Sequence, residues 1–408
     1  MTNRVLGLVQ AGGQGSRMDV LTRERAKPAL PFAGSYQLID FALSSLAHST
    51  ISDVWVSVQY QAGSLDPHLA GGRPWDLDRT RGGYRRVVPE QGDGSRSESG
   101  FSLGNADALL RMRDQIEAFG ADQVVVISAD HVFRCDLDAV LALHREREAE
   151  CTIVTAEMTK VEAAHQAVVT AGADGHVTGF DYKPTSPASG VVATEVFVYD
   201  AVVLLESLDA LRADLAASGE LDEDGLGDFG EHLLPRLVGR GQVWAAPIGG
   251  YWRDVGRPES FLQAHRDLLA GRVDVFDDAD RPVLTRFPEL PPALVRKGAQ
   301  VVDSLVSPGC DVAGEVVRSV LGPGVKVAAG ARVEDSVLFA GVVVEGGASV
   351  ATSVLDSGVV VGQGAVVGAL STRRKATDDE ITLVGRDSRV PRRAEVAAGA
   401  RLEPGSTA

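Results

Sequence analysis

Cysteine and lysine are scarce in this 408-residue chain, and acidic residues outnumber basic ones. The cysteines Cys135, Cys151 and Cys310 are scattered and odd in number, which argues against a disulfide framework and is typical of a reducing cytoplasm. The formal net charge of −16 argues against non-specific binding to nucleic acid or to an anionic membrane. Since no apolar run is long enough to span a membrane and no signal-peptide pattern opens the sequence, we expect a cytoplasmic protein.

Aromatic residues nearly disappear after about residue 294, where short valine runs alternate with glycine-rich turns. A six-residue spacing joins Val327 to Val333 and Val344 to Val350, and it recurs at Val354, Val360 and Val366. This period predicts a left-handed parallel β-helix, with an ordinary run of short strands as the alternative. We therefore predict domains at 1–275 and 294–408, joined by a proline-rich linker at 276–293. Because such coils stack, we expect a homo-oligomer, either a dimer or a tetramer.

The first part of the chain alternates strand-like and helical segments, which predicts an α/β fold with a Rossmann-like, mixed and mostly parallel sheet. The expected strands are 5–9, 54–58, 124–128, 152–155 and 191–199, and the expected helices are 36–49, 106–119 and 137–150. Residues 71–100 are rich in Gly, Arg and Ser, and they are expected to form a long exposed loop, either a lid or plain surface.

A glycine-rich loop follows the first strand, and it is the most informative segment of the sequence. Gly12, Gly13 and Gly15 leave the backbone N–H groups open to an anion, because glycine has no Cβ to obstruct the approach. Arg17 and Lys27 follow and can neutralise a polyphosphate. The loop matches neither the P-loop nor the dinucleotide-binding spacing. We expect it to bind a ligand that carries several phosphates.

Two acidic residues stand where a divalent cation could be held. Asp130 comes directly after a buried strand-like run, and Asp254 lies in the segment Tyr251-Trp252-Arg253-Asp254. Mg²⁺ prefers oxygen ligands and is commonly held by one or two carboxylates together with substrate phosphates. We predict that both carboxylates bind Mg²⁺, with a helix cap or a loop hydrogen bond as the alternative role for either one alone.

Taken in order, the motifs resemble those of the ADP-glucose pyrophosphorylase family, whose members join a nucleoside triphosphate to a sugar 1-phosphate and release pyrophosphate. They are Ala11-Gly12-Gly13 with Arg17, Arg25-Ala26-Lys27-Pro28, Gly104-Asn105-Ala106-Asp107, Ser128-Ala129-Asp130-His131, Asp228-Phe229-Gly230 and Tyr251-Trp252-Arg253-Asp254.

The resemblance implies a role for each matching residue. Arg17 and Lys27 would stabilise the triphosphate and the departing pyrophosphate, and Asp130 and Asp254 would hold Mg²⁺. The nucleotide would be approached by Gln10, Ala11, Gly12, Gly13, Gly15, Gln59, Gly104, Asn105 and Asp107. The acceptor phosphate would be bound by Lys183, and the acceptor pocket would be completed by Tyr182, Thr194, Glu195 and Trp252.

The sequence departs from the family pattern around the sugar and the base. The usual Glu-Lys-Pro is Tyr182-Lys183-Pro184 here, and the usual Ser-Met-Gly is Ala193-Thr194-Glu195, so the hydroxyl-binding carboxylate has one candidate replacement in Glu195. Gln10 replaces a leucine and could contact the base edge differently. These changes favour an acceptor other than glucose 1-phosphate.

Our leading interpretation is the branch of the family that joins GTP to the cyclitol valienol 1-phosphate. Ordinary ADP-glucose synthesis is the alternative, and a non-catalytic regulatory subunit is more remote because the phosphate-handling residues are all present. An acyltransferase role for the β-helix is disfavoured by its short length and by the absence of histidine after Leu294. Arg373-Arg374-Lys375 could bind an anionic effector or form a solvated loop.

Overall fold

The computed structural model describes residues 3–13, 15–88, 102, 104–219 and 225–408. Within these ranges, no helix is both long and apolar enough to cross a bilayer. The predicted strand-and-helix alternation is confirmed for the first part of the chain, and parallel coils follow it.

The first part is built on a mixed sheet with the strand order β10-β9-β11-β6-β1-β4-β5, to which β8 and β12 are added beside β11. Strands β6, β1, β4 and β5 run parallel, whereas β11 is antiparallel to both β6 and β8. The strands of this part are β1 (Val5–Ala11), β2 (Pro31–Phe32), β3 (Tyr36–Gln37), β4 (Asp53–Val58), β5 (Gly83–Val87), β6 (Gln123–Ser128), β7 (His131–Phe133), β8 (Cys151–Glu157), β9 (Ala167–Ala171), β10 (Val177–Tyr182), β11 (Val191–Asp200), β12 (Val243–Pro247) and β13 (Trp252–Asp254).

Helices cover the sheet and bury their apolar residues in two separate clusters. They are α1 (Ile39–Ala47), α2 (Asp66–Leu69), α3 (Asn105–Arg111), α4 (Arg113–Phe119), α5 (Leu137–Glu146), α6 (Lys160–Ala163), α7 (Ala201–Ser218), α8 (Leu233–Arg240) and α9 (Pro258–Leu269). Local signals fix several of the helix starts: the side chains of Asp136, Thr159 and Asp200 each accept a backbone N–H in the first turn of α5, α6 and α7.

A short ribbon outside the main sheet joins two distant segments of the chain. Strand β13 pairs antiparallel with β7, with Trp252 opposite Phe133 and Asp254 opposite His131. Since Asp130 immediately precedes β7, this register brings Asp130 and Asp254 to the same end of the ribbon.

From residue 294 the chain winds into parallel coils whose sides form three sheets of six strands each. These strands are β14 (Leu294–Val295), β15 (Gln300–Val302), β16 (Leu305–Val306), β17 (Asp311–Val312), β18 (Glu315–Val317), β19 (Val320–Leu321), β20 (Lys326–Val327), β21 (Arg332–Glu334), β22 (Val337–Leu338), β23 (Val343–Val344), β24 (Ser349–Ala351), β25 (Ser353–Leu355), β26 (Val360–Val361), β27 (Val366–Val367), β28 (Thr382–Val384), β29 (Arg389–Val390), β30 (Glu395–Val396) and β31 (Arg401–Leu402).

The valine spacing in the sequence reflects this geometry in part, because Val360 is only half-buried and Val366 is 41% exposed, and their neighbours Val361 and Val367 are the buried residues. Val312, Val327, Val344 and Val361 stack in register along one side of the coil and are fully buried or nearly so. Val333 and Val350 form the equivalent stack on the next side. The prediction of a left-handed β-helix is confirmed, because each buried valine fills the interior of one coil side.

Three local predictions differ from the structure. Residues 36–49 do not form one helix, since Tyr36 and Gln37 form β3 before α1 begins, and residues 106–119 break into α3 and α4 at Met112. The expected exposed loop 71–100 begins within a 3-10 helix (Ala70–Trp75) and buries Trp75 and Leu77. It also contains β5, which pairs with β4 as an edge strand, and its residues 89–100 lie outside the described residues. Pairing with the sheet determines β5, and its sequence offers few aliphatic residues to signal it.

Candidate active site

The main candidate site is a cleft of about 510 Å³ at the carboxyl ends of the parallel strands. Gln10 and Ala11 end β1, Ser57 lies near the end of β4, and Ser128 ends β6, and all four residues line the cleft. Ligands of open α/β sheets bind at this edge because the loops that follow adjacent strands converge there.

The glycine loop forms one wall of the cleft. Gly12 and Gly13 line it, and a Cβ on Gly13 would meet no heavy atom within 4 Å, so the space beside this backbone is open. Gly15 has a different role from Gly12 and Gly13. Its φ of +66° is a conformation that glycine adopts without strain, and a Cβ there would lie 3.0 Å from Lys27 Cβ. Two glycines therefore expose backbone to the cleft, and the third allows the turn that packs against Lys27.

Cationic side chains converge behind this loop. A Cβ on Gly256 would lie 2.8 Å from Lys27 Nζ and 3.5 Å from Arg17 Nη2, so both cations approach the same backbone position. The Lys27 side chain is only 7% exposed. Burial acts to lower the pKa of Lys27, but the nearby carboxylates of Asp130 and Asp254 raise it above its ordinary value. The ammonium is thus held charged in a largely buried site.

The two aspartates expected to bind metal face this ammonium. Lys27 Nζ lies 2.5 Å from Asp130 Oδ2 and 3.6 Å from Asp254 Oδ1. Burial acts to raise the pKa of both carboxyl groups, whereas Lys27 and His131 lower it, and the net shift is downward for each. Both aspartates are therefore ionised at neutral pH.

Neighbouring groups fix the orientation of these carboxylates. Ser128 Oγ donates to Asp130 Oδ1 at 2.5 Å, Gln166 Nε2 donates to Asp254 Oδ2 at 3.2 Å, and the Gly256 N–H donates to Asp254 Oδ1 at 2.7 Å. Such partners restrict the rotamers of the acids and so preorganise the oxygens that face the cleft.

The donor set fits a divalent cation. Asp130, His131 and Asp254 each offer one ligand atom, and these atoms lie within 4.8 Å of one another. His131 Nε2 is 3.5 Å from Asp130 Oδ1 and 3.8 Å from Asp254 Oδ1, while its Nδ1–H donates to the carbonyl of Thr194 at 3.1 Å. The carboxylate oxygens are the ligands that Mg²⁺ prefers, and the Lys27 ammonium lies beside both of them.

The nucleotide side of the cleft is organised by side-chain amides. Gln10 Nε2 donates to the carbonyl of Asn105 at 2.8 Å, and Gln59 Nε2 donates to the carbonyl of Ser102 at 2.8 Å. Gly104 has a φ of +135°, and a Cβ there would lie 2.2 Å from the carbonyl of Gly227. Only glycine therefore permits the start of α3 to pack this closely against residue 227.

The expected acceptor residues Tyr182 and Lys183 also line the cleft, close to Asn105, whose N–H donates to Asp228 Oδ1 at 3.4 Å. Tyr182 OH donates to Asp228 Oδ2 at 2.8 Å and accepts from Lys183 Nζ at 2.6 Å, and the Lys183 ammonium also lies 4.2 Å from the centre of the Tyr182 ring. A Cβ on Gly230 would lie 2.1 Å from that ring. The Tyr182 ring is therefore held in one position on the cleft surface. Asp228 binds its hydroxyl, and the glycine at 230 leaves room for the ring.

Glu195 lines the same side of the cleft from an irregular point in β11. Its φ is +59°, and the pairing of β11 with β8 shifts between Ala193 and Phe197. A non-glycine residue in this conformation inside a strand is uncommon and marks a β-bulge that redirects a side chain. Burial raises the pKa of Glu195, His131 opposes this effect, and Asp130 and Asp254 add to it.

Four of the expected site residues do not line the cleft. Asp107 forms an ion pair with Arg111, Oδ2 to Nε at 3.0 Å, and Gly15 packs on Lys27 as described above. Thr194 is buried and donates its hydroxyl to the carbonyl of Val154. Trp252 packs edge to face against His131, with ring centres 5.3 Å apart. The strand pleat directs the side chains of Thr194 and Trp252 away from the cleft, whereas Asp107 points away from it on helix α3.

Other cleft residues had no role assigned from the sequence. Asp228 lines the cleft, and His131 is buried beside Asp130 and Asp254; both stood inside recognised motifs, so a signal for them existed. His165 and Gln166 follow α6 and line the cleft, yet no sequence pattern pointed to either one.

A second cavity, of about 460 Å³, lies beyond the other end of the β7–β13 ribbon. Its charged side chains are paired with each other: Arg134 Nη1 lies 3.2 Å from Asp278 Oδ2, and Arg281 Nη1 lies 2.6 Å from Asp136 Oδ2. It shares no lining residue with the main cleft and contains none of the predicted phosphate-binding residues.

Comparison with known proteins identifies the family of each part of the chain. The nucleotidyl transferase family matches residues 6–271, and the GlmU-like C-terminal hexapeptide family matches residues 292–384. The chain therefore belongs to the nucleotidyl transferase family and, within it, to the ADP-glucose pyrophosphorylase family.

The similar proteins include glucose-1-phosphate adenylyltransferases from three bacteria. The protein of Fusobacterium nucleatum is 33% identical over 81% of this chain and 84% of its own length. That of Clostridium perfringens is 34% identical over 81% of this chain and 82% of its own length, and that of Thermotoga maritima is 36% identical over 81% of this chain and 76% of its own length. The chain is an enzyme of the sugar-phosphate nucleotidyltransferase class.

Proposed function

We propose that this enzyme joins a nucleoside triphosphate to a cyclic 1-phosphate with Mg²⁺ and releases pyrophosphate. The observation that carries the proposal is the convergence of Lys27 with Asp130 and Asp254 beside an open glycine backbone. Two reacting polyanions repel each other, so their reaction requires positive charge and hydrogen-bond donors. Lys27 and the glycine N–H groups would supply these directly, and the two carboxylates would supply them by holding Mg²⁺.

In the proposed reaction, an oxygen of the acceptor phosphate attacks the α-phosphorus, and the bond from the α-phosphorus to the pyrophosphate oxygen breaks. No general base is needed because the acceptor phosphate is already anionic at neutral pH. Arg17 and Lys27 would counter the charge that accumulates on pyrophosphate, and Lys183 would hold the acceptor phosphate in line. Mg²⁺ held by Asp130 and Asp254 would supply further charge neutralisation of the phosphates.

The acceptor-binding side supports an altered specificity. Tyr182 occupies the position of the family's hydroxyl-binding glutamate, and both of its polar interactions are already taken by Asp228 and Lys183. Glu195, in contrast, lines the cleft from its bulge as a carboxylate available to accept hydroxyl hydrogen bonds. We assign hydroxyl recognition to Glu195.

Two substrate pairs satisfy this assignment. Our leading pair is GTP with the cyclitol valienol 1-phosphate, because the residues that differ from the family pattern, Tyr182 and Glu195, lie at the expected acceptor site. The second pair is ATP with glucose 1-phosphate, and the names of the similar proteins favour it.

The deciding experiment measures pyrophosphate release for ATP, GTP, UTP and dTTP against glucose 1-phosphate and valienol 1-phosphate, with Mg²⁺ present. Turnover of GTP with valienol 1-phosphate supports the leading pair, and brisk turnover of ATP with glucose 1-phosphate alone replaces it with the second. The variant Asp130→Asn should lose activity by a factor on the order of 10²–10³ while it still folds, which circular dichroism checks. An Asp130→Asn variant with wild-type turnover would refute the site.

We also propose a cytoplasmic homo-oligomer, either a dimer or a tetramer. The three cysteines are free and buried, which fits a reducing compartment. Leu294 and Val295, in the first coil of the β-helix, are 46% and 52% exposed and offer an apolar surface for another copy. Light scattering on the purified protein tests the subunit number, and a monomer at micromolar concentration would contradict the proposal.

A further inference from the structure

The β-helix has an insertion, residues 371–380, that reaches back to the nucleotidyltransferase part of the chain. The insertion is attached to this part of the chain at Arg374, whose carbonyl accepts a hydrogen bond from Arg266 Nη1 at 3.1 Å. Arg266 also forms a two-bond ion pair with Asp335 of the β-helix, at 2.8 and 2.5 Å. The insertion is therefore held against α9 and does not project freely.

Beyond this anchor, Lys375 makes a single ion pair with the other part of the chain. Lys375 Nζ lies 2.7 Å from Glu162 Oε1, and Thr159 Oγ1 donates to Glu162 Oε2 at 2.7 Å. Burial acts to raise the pKa of Glu162, but Lys375 and Thr159 lower it below its ordinary value, so the carboxylate is ionised. Glu162 lies in α6, which ends one turn before the cleft residues His165 and Gln166.

Two sets of contacts connect Glu162 to Asp254, the second of the two aspartates proposed to hold Mg²⁺. Along the backbone, the end of α6 turns directly into Gln166, whose side chain donates to Asp254 at 3.2 Å and whose carbonyl accepts the Lys183 N–H at 3.1 Å. Through side chains, Arg253 Nη1 lies 3.9 Å from Glu162 Oε1, and Arg253 is the residue before Asp254.

We propose that Lys375 is a positioning residue: by holding Glu162, it keeps the end of α6 where Gln166 can orient Asp254 and anchor Lys183. The β-helix thereby takes part in shaping the acceptor side of the cleft, in addition to its own packing. The inference rests on the proposed function for its kinetic consequence, but the structural coupling itself is testable without turnover.

The size of the effect is limited because the Lys375 and Glu162 side chains are 60% and 32% exposed. Ion pairs of this exposure shift an equilibrium by roughly two- to fivefold. We expect Lys375→Met to raise the KM for the acceptor phosphate by about that factor, with the KM for the nucleotide unchanged. Lys375→Arg should restore the wild-type value, since it keeps the charge.

The matched control is Arg373→Met, because Arg373 lies in the same insertion and faces Glu380 of that insertion, Nε to Oε1 at 3.6 Å. The KM values of this variant for the acceptor and for the nucleotide should equal those of the wild type. Lys375→Glu and Glu162→Lys should each raise the KM for the acceptor, and the double variant that carries both should bring it most of the way back to the wild-type value. A purely local loss of stability would not be reversed in this way.

Hydrogen exchange provides the readout that does not depend on activity. Backbone amides at 163, 165 and 166 donate within or just after α6, and their exchange should accelerate about two- to fivefold in Lys375→Met but not in Arg373→Met. Unchanged exchange at these amides would overturn the inference whatever the kinetics show. Accelerated exchange in an enzyme that turns over no substrate pair would instead uphold the coupling and refute the proposed function.

Discussion

The ammonium of Lys27 donates to Asp130 across 2.5 Å, although the two residues are 103 positions apart in the chain. It also lies 3.6 Å from Asp254, so one lysine faces both carboxylates of the candidate magnesium site and offsets part of their charge. We expect a divalent cation at these carboxylates to compete with the ammonium for the same oxygens. Lys27 would then be available to the triphosphate, which would couple metal binding to nucleotide binding.

This competition gives the first prediction, which concerns Lys27→Met. Removing the ammonium leaves two ionised carboxylates without their main partner, so Mg²⁺ should bind the free enzyme more tightly, by about tenfold, as measured by isothermal titration. Turnover should nevertheless fall by a factor on the order of 10²–10³, because a cation facing the phosphates is lost.

The control for this variant is Lys297→Met, which removes an exposed lysine of the β-helix and should alter neither quantity. Weaker Mg²⁺ binding in Lys27→Met would contradict the competition. It would mean that the Lys27 ammonium helps to form the metal site and does not compete with the metal ion for the carboxylate oxygens.

The second prediction concerns the residue that binds acceptor hydroxyl groups. Glu195→Gln keeps the size of the side chain but removes its charge, so the KM for the acceptor should rise about 10- to 100-fold while the KM for the nucleotide stays within twofold. Tyr182→Phe removes only a hydroxyl that already contacts Asp228 and Lys183, and its effect on the acceptor KM should be smaller. The assignment of hydroxyl recognition fails if Tyr182→Phe raises the acceptor KM more than Glu195→Gln does.

How far the sequence could predict this site depends on where each residue stands. The glycine loop and Asp130 follow buried strands directly, and the carboxyl ends of parallel strands meet at one edge of a sheet, so their proximity could be foreseen. The orientation of Glu195 could not, because it depends on a bulge in the pairing of β11 with β8.

Gln166 shows the same limit in another form. It reaches Asp254 because α6 ends beside the β7–β13 ribbon. That placement depends on packing between distant segments, since the two residues are 88 positions apart in the chain. The domain architecture was easier to predict, since the six-residue valine period is a local pattern that repeats along the β-helix.

The third prediction concerns acid stability and His265. This residue is 1% exposed, its Nδ1 lies 2.9 Å from the carbonyl of Phe261, and its ring lies 4.5 Å from that of Phe32. Burial lowers the pKa of His265 to about 4, whereas an unfolded histidine titrates near 6.5. Between these values the unfolded chain binds a proton that the folded protein does not, so stability is full above pH ~6.5 and falls as the pH drops towards ~4.

The loss from His265 should be on the order of 3 kcal/mol across that window. Urea unfolding at about pH 7 and about pH 4.5 should therefore show a smaller drop for His265→Leu than for the wild type. His144, whose pKa burial also lowers to about 4, contributes in the same direction and remains in both proteins. Equal drops in the two proteins would show that His265 is protonated without cost in the folded state.

The fourth prediction concerns the ion pair between Arg25 and Asp356, which joins the nucleotidyltransferase part to the β-helix. Both side chains are almost completely buried, at 4% and 3% exposure, and the Arg25 guanidinium also lies 5.4 Å from the centre of the Phe339 ring. Burial lowers the pKa of Arg25 and raises that of Asp356, although each partner opposes the shift of the other. Desolvation therefore outweighs the attraction within the pair.

Breaking this pair from one side should be costly, because it leaves a buried charge without a partner. Arg25→Met should destabilise the protein by about 3–5 kcal/mol, and the double variant Arg25→Met with Asp356→Leu should be more stable than Arg25→Met alone. The midpoint of heat unfolding, compared among the wild type and the single and double variants, measures the order directly. A double variant that unfolds below Arg25→Met would mean that the attraction within the pair exceeds its desolvation cost, and that the pair holds the two parts of the chain together by its charge.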